Sequence, residues 1–360
     1  MNHNNLQSLD TIKKMPAQEI NSRIQKAKSI LGESLLILGH HYEMDEVIAF
    51  CDEVGDSFGL AKTAAKTSAE YIVFCGVHFM AETTDVITSD EQKVFLPDLS
   101  AGCFLADCAK IEQVEKAWKE ITEISKSIIP ITYINSDMRL KDFCGRNGGI
   151  VCTSANAQMA LEWAWQRGEK VFFFPDQHLG RNTAFRMGIP LDKIVMWNFE
   201  KESGSHSVER IEDAKLILWN GFCDVHQEFS ADYTEKLRTT YPEIKILAHP
   251  ECNFDICKNA DIIGSTSVII KTVENAEKGS IWGIGTEKKL VERLQKRLPD
   301  KKLLFLLDHG PECKTMSQIN LVNLLFQLEN IVAGNFINRV CIDNKIGDNA
   351  LIAINRMLEL

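Results

Sequence analysis

Three stretches of this chain, residues 35–98, 129–198 and 244–308, carry the same order of apolar runs and helical patterns. In the first, an apolar strand ends in GHHY and a helix is predicted over Glu43 to Cys51. A turn ending GDS at Ser57, a helix over Leu60 to Thr67, the strand IVFCG, a helix over Met80 to Ile87 and the strand VFLPD complete it. The second runs from a strand ending YINS through a short helix, CTS at Ser154, a helix over Ala157 to Gln166, VFFFPD, the polar helix start HLGRNTAF and IVMWN. The third reads ILAHPE, a short helix, DIIGSTS, a helix over Val268 to Ala276, IWGIGTE, a helix over Lys288 to Leu298, and LLFLLD. Strands rich in Val, Ile, Leu and Phe, alternating with helices, specify parallel sheets covered on both faces. Twelve such strands exceed the usual size of one twisted open sheet. One continuous doubly wound sheet is therefore the weaker reading. The expected fold is α/β, with three similar α/β/α domains, each holding a parallel four-stranded sheet. Short connections between like domains imply a pseudo-threefold axis and an active site at the central interface.

The expected boundaries are an N-terminal helical segment (1–33), repeats over 34–110, 111–205 and 206–316, and a C-terminal helical segment (317–360) packing back on the repeats. Within the first segment, residues 17–31 form an amphipathic helix with Ile20, Ile24, Ala27 and Ile30 on one face.

Ligands of parallel α/β units bind beyond the carboxyl ends of the strands, where helix N-termini favour anions. The polar residues gather there. The first strands of the three stretches end in His40 and Tyr42, in Tyr133 and Asn135, and in His249 and Glu251. The second strands end in Ser57, in Thr153 and Ser154, and in Ser265 and Thr266. Any one of these hydroxyls or amides alone reads as a helix N-cap. The threefold set reads as a site for a small, doubly anionic substrate. His40, Tyr42, His249 and Glu251 are the groups suited to proton transfer.

The eleven cysteines are odd in number and no secretory signal precedes them, so metal binding or catalysis is a better reading than a disulfide framework. Cys75 and Cys152 lie in strand-like runs and are expected in the core. Three others share one setting, a loop after an apolar run and before a helix. Cys103 stands in AGCFLADC ahead of a helix from about Ile111. Cys223 stands in WNGFCDVH ahead of a helix over Ser230 to Tyr241, and Cys313 in GPECKTM ahead of a helix from about Ser317. Structural zinc is closed by four ligands and usually shows a CxxC pair, which this chain lacks. Three thiolates suit a four-iron cluster with one iron left open as a Lewis acid. His226 is set aside as a ligand, because neither AGCFLADC nor GPECKTM has a histidine at that offset.

The net charge of −10 and the absence of a basic block exclude a nucleic-acid partner. No apolar run reaches membrane-spanning length. The N-terminal MNHNNLQSLDTIKKMPAQEI has no signal core, so a cytoplasmic protein is expected.

The motifs GHHYEMDEV, GDSFGLAK, FCGVHFMAET, LPDLSAGC, YINS, CTSANA, PDQHLGRNT, GFCDVH, HPEC, GSTS and the final EC…M resemble, in order and over nearly the whole chain, those of the quinolinate synthase family. That family commonly has HYYQ or HNYQ where this chain has HHYE, so the His and Tyr are kept. Some members carry a CxxCxxC near the last cysteine; here only Cys313 is present. The resemblance implies a [4Fe–4S] cluster, one per chain, on Cys103, Cys223 and Cys313 with one open iron. It implies condensation of iminoaspartate with dihydroxyacetone phosphate to quinolinate, for NAD biosynthesis. His40, Tyr42, Tyr133, His249 and Glu251 would be catalytic. Ser57, Asn135, Ser154, Ser265 and Thr266 would bind substrate together with His40, Tyr133, His249 and Glu251. The instability of iminoaspartate motivates a functional link to an aspartate oxidase or dehydrogenase. Two other readings suit the same residues: an iron–sulfur hydro-lyase acting on another small acid, and a non-catalytic iron–sulfur oxygen sensor.

Overall fold

The computed structural model describes residues 6–360. The first five residues of the expected N-terminal segment lie outside it. The chain divides into two compact units, one of residues 1–103 and 313–343, the other of residues 104–312 and 344–360.

The first unit opens with the helix Ala17–Leu31, which begins directly after Pro16. Ile20, Ile24 and Ala27 are buried as their spacing requires, whereas Ile30, expected on the same face, is exposed. The helix packs on Leu321–Val332, and Arg23 grips Glu329 with a two-pronged contact at 2.8 and 2.7 Å. Four parallel strands follow: β1 (Leu35–His40), β2 (Glu53–Gly55), β3 (Tyr71–Cys75) and β4 (Lys93–Phe95). Their order is β2-β1-β3-β4, and the strand Arg339–Val340 adds an antiparallel edge to β4.

The second unit holds two sheets. One contains β5 (Ile128–Tyr133), β6 (Ile150–Cys152), β7 (Lys170–Phe174), β8 (Ile194–Trp197) and β9 (Leu216–Trp219), ordered β6-β5-β7-β9-β8. The other contains β10 (Lys245–Ala248), β11 (Ile262–Ile263), β12 (Ile281–Gly285) and β13 (Lys302–Phe305), ordered β11-β10-β12-β13. All pairings in both are parallel. β6, β7 and β9 are buried along their whole length, the state of strands covered by helices on both faces.

There are thus three separate parallel sheets rather than one. Each expected set of four strands takes the order second-first-third-fourth. The count differs from four in two sheets, because Arg339–Val340 joins the first and β9 inserts between β7 and β8 in the second. Cys75 and Cys152 are fully buried, as their strand settings require. The last helix, Asn344–Leu358, lies against Met138–Arg146. Gly145 makes that approach possible, since a Cβ there would sit 1.8 Å from the carbonyl oxygen of Asn349. No helix among the described residues is long and apolar enough to cross a membrane.

Candidate active site

Glu251 is the centre of a buried polar cluster in the second unit. It follows β10 in the sequence His249-Pro250-Glu251 and is 2% exposed. The last residue of β5, Tyr133, donates its hydroxyl proton to Oε1 of Glu251 in a short hydrogen bond. His226 Nδ1 lies 2.9 Å from Oε2. The ring of His249 stacks on that of His226, with centroids 4.5 Å apart. His249 Nδ1 accepts from the Glu251 backbone N–H at 3.4 Å, an arrangement that places a ring proton on Nε2. His226 Nδ1 is also 3.2 Å from Cys223 Sγ. One ligand atom from each of Cys223, His226 and Glu251 lies within 4.8 Å of the others, close enough to hold a metal ion.

Local sequence explains this convergence. Asp224–Gln227 is a single helical turn starting at Cys223, and three residues along a turn face one way. His226 therefore lies on the side of Cys223. Gly221 admits the loop, since a Cβ there would meet the Pro175 carbonyl oxygen at 2.3 Å and Cys108 Cβ at 2.7 Å.

The charges are set by burial and neighbours. Burial alone would raise the Glu251 carboxyl, but His249, His226 and the Tyr133 hydroxyl pull it down to about 2. Burial and the Glu251 charge push the Tyr133 phenol well up, so it stays a proton donor. Asp176, fully buried after β7, is pushed well above the usual carboxylate range by burial and by Glu251. It caps the helix Gln177–Arg186, accepting from Leu179 N at 2.7 Å. Burial and Arg181 hold His178 neutral, at about 3.

The expected binding residues of this unit fall near the same place. The Ser154 side chain opposes part of the upward push on the Tyr133 phenol. Ser154 and Ser265 line one cavity of about 170 Å³, together with Asn182, Arg186, Pro250 and Gly264. Ser265 occupies the cap position of the helix Thr266–Glu274, yet its hydroxyl makes no capping bond. Among the described residues, that buried hydroxyl and Oδ1 of Asn135, just beyond β5, have no hydrogen-bond partner. Thr266 is the buried first residue of its helix. Thr153 is held locally, by Asn156.

In the first unit, His40 repeats the His249 arrangement. Its Nδ1 accepts from Tyr42 N at 3.2 Å, and the two rings meet edge to face at 4.7 Å. Ser57 is the half-buried first residue of the helix Ser57–Ala64, and Asp56 supplies its cap, through Gly59 N at 2.8 Å. Cys103 and Cys313 are half-buried and form no disulfide. The segments that carry them are tied by Ser100 to Gln318 at 3.1 Å and by Asn323 to Asp98 at 2.9 Å.

Sequence reasoning missed three members of the cluster. His226 was set aside for lacking counterparts, although the turn after Cys223 carried the signal. Asp176 and His178 lay in PDQHLGRNT, where a strand followed by Asp-x-His was readable as a polar strand end.

The family profile described as "Quinolinate synthetase A protein" matches residues 22–359. A quinolinate synthase of a Nocardioides species is 50% identical over 94% of this chain and 88% of its own length. One from Bacillus cereus is 47% identical over 96% of this chain and 94% of its own. One from Acidobacterium capsulatum is 46% identical over 98% of this chain and 96% of its own. With a match across nearly its entire length, and with Tyr133, His226, His249 and Glu251 gathered at the strand ends where its sequence motifs lie, this chain belongs to the quinolinate synthetase A family.

Proposed function

We propose that this protein is a quinolinate synthase. It condenses iminoaspartate with dihydroxyacetone phosphate to quinolinate, with loss of phosphate and water, as a step toward the pyridine ring of NAD. The observation that carries the reading is the buried contact of Tyr133 with Glu251, flanked by His226 and His249, in a chain whose relatives bear that name.

Cys103, Cys223 and Cys313 would hold the [4Fe–4S] cluster. Their chemistry fits the group. Each is half-buried, in no disulfide and outside the strands, and sulfur is the donor such a cluster takes. Cys144 and Cys152, by contrast, are sealed in the core, where burial holds the thiol protonated. When bound, such a cluster supplies one open iron that acts as a Lewis acid toward a hydroxyl or carbonyl oxygen.

The residues of the chain handle protons and anions. Glu251 is ionised and accepts protons released during imine formation and ring closure. Tyr133 gives its hydroxyl proton to the substrate as it takes up the proton that Glu251 has accepted, along the hydrogen bond that joins them. His249, and His40 with Tyr42, present ring protons on Nε2 because Nδ1 is engaged by the backbone. Ser154, Ser265, Thr266 and Asn135 bind carboxylate and phosphate oxygens, and Ser57 does so at the start of its helix. The open hydroxyl of Ser265 supports this role. Burial of Glu251 and Tyr133 strengthens each of these contacts by excluding water.

The test is an anaerobic assay of the cluster-loaded full chain with freshly generated iminoaspartate and dihydroxyacetone phosphate. Quinolinate is the expected product, and none from fully loaded protein would sink the proposal. Because iminoaspartate decays in water, an aspartate oxidase or dehydrogenase is proposed as its source. Adding either enzyme with aspartate should raise the rate above that with the free imine.

A further inference from the structure

Glu251 lies outside the sheet, so the carbonyls around it have no ladder partners. Three in succession are held instead by side-chain amides. Asn182 Nδ2 donates to Pro250 O at 2.9 Å and to Cys252 O at 2.8 Å. Gln227 Nε2 donates to Glu251 O at 3.3 Å. The backbone N–H groups are engaged as well, Glu251 N with His249 Nδ1 at 3.4 Å and Cys252 N with His249 O at 3.0 Å.

The two amides come from different elements. Asn182 stands inside the helix Gln177–Arg186 and is 2% exposed. Two carbonyls fix the direction of its NH2 group, so the assignment of its nitrogen and oxygen follows from the contacts. Through the Pro250 carbonyl it fixes the peptide plane before Glu251, and through the Cys252 carbonyl it anchors the plane one residue beyond, while Gln227 holds the plane between them through the Glu251 carbonyl. Gln227 closes the same turn that presents His226 to the carboxylate. One turn therefore holds Glu251 at both ends, the imidazole at its carboxylate and the amide at its carbonyl.

We propose that Asn182, seconded by Gln227, is a positioning residue. It sets the Glu251 carboxylate against Tyr133 and His226 and touches no reacting atom through its amide nitrogen. This rests on the reading of Glu251 as the proton-transferring group. The need is geometric: a hydrogen bond between phenol and carboxylate loses its alignment with small shifts of the backbone that carries it, and a displacement near 1 Å can cost about a hundredfold in rate.

The test uses the cluster-loaded full chain with Asn182→Leu, which keeps the volume and removes both donors. The expected result is a fall in kcat of about a hundredfold, with KM for dihydroxyacetone phosphate changed less than about threefold. In the same protein labelled with 13C-tyrosine, the ring signal assigned by Tyr133→Phe should shift, while that of Tyr71, in the other unit, stays in place. A role in stability alone would lower the unfolding temperature and leave kcat and the Tyr133 signal where they were. Gln227→Leu, at a half-buried side chain, is the second variant should Asn182→Leu fail to fold. It should shift the same signal and lower kcat about tenfold. An unmoved Tyr133 signal in a folded variant overturns the inference. If the unmodified protein makes no quinolinate and the signal still moves, the functional reading fails and the positioning role stands.

Discussion

At the scale of the residue, Tyr133 and His178 show how burial sorts chemistry. Tyr133→Phe removes the hydroxyl that reaches Oε1 of Glu251 and leaves the ring packing intact. Loss of a hydrogen bond to a buried charge costs about 2 kcal/mol of stability. Activity should fall by about a hundredfold or more, as for loss of a general acid. Denaturant melts and single-turnover assays of the variant check both. His178 is a neutral imidazole, held at about 3 by burial and Arg181. Its folded value lies below its unfolded one, so the unfolded chain takes up a proton first as the solution is acidified. Stability from this group is full above about 6.5 and is lost as pH falls toward 3, at no more than about 1.4 kcal/mol per pH unit. Asp176 works in the opposite sense. Its raised value gives stability that is present below the usual carboxylate range and declines as pH rises. The two overlap, so the useful measurement is a difference. Unfolding free energy of His178→Gln minus that of the unmodified protein should rise steadily as pH is lowered from 6.5 to 4, and a flat difference would refute the assignment. His249 and Glu251 were readable in the sequence because a histidine beside a carboxylate at a strand end is a local signal. His226 was not weighted, because its value comes from a contact with Glu251 across twenty-four intervening residues.

At the scale of the element, legibility follows length and locality. The helix Ala17–Leu31 agrees with its sequence reading because Pro16 and a strict apolar spacing mark it. The helix expected over Glu43 to Cys51 is only one turn, Asp45–Ile48. Past it, Asp52 bonds back to Ile37 O, and the chain enters β2. That strand read as a turn because three residues with two exposed side chains show no periodicity. The insertion of β9 between β7 and β8 is a long-range pairing that no local pattern encodes. Gly145 tests packing against propensity within one helix. Alanine is the better helix former by about 1 kcal/mol. A methyl at this position, however, would press on the Asn349 backbone at 1.8 Å, and forcing apart two packed helices costs about 1–3 kcal/mol. Gly145→Ala should therefore lower the unfolding midpoint. A rise would show that the last helix yields easily.

At the scale of the whole molecule, the cysteine sites are set by topology rather than by any sequence motif. Cys103 follows β4 and Cys313 follows β13, the fourth strand of its own set in each case, whereas Cys223 follows the inserted β9. The insertion places the loop of Cys223 beside the end of β7, where Gly221 bridges Asp176. The choice of three cysteines among eleven makes a sharp expectation. Cys103→Ala, Cys223→Ala and Cys313→Ala should each lose the brown colour and most of about four irons per chain after anaerobic reconstitution. Cys341→Ala, at an exposed position, should keep both. The proposed cluster would not be what folds this chain. Its three sheets are closed by buried Val, Ile, Leu and Phe, with none of the three cysteines inside a strand. Far-ultraviolet circular dichroism of the iron-free chain should therefore match that of the loaded one, unlike a small zinc domain that unfolds without its ion. Retention of all the iron in any one of the three alanine variants would remove that cysteine from the ligand set. Collapse of the dichroism spectrum on iron removal would show instead that the cluster is structural.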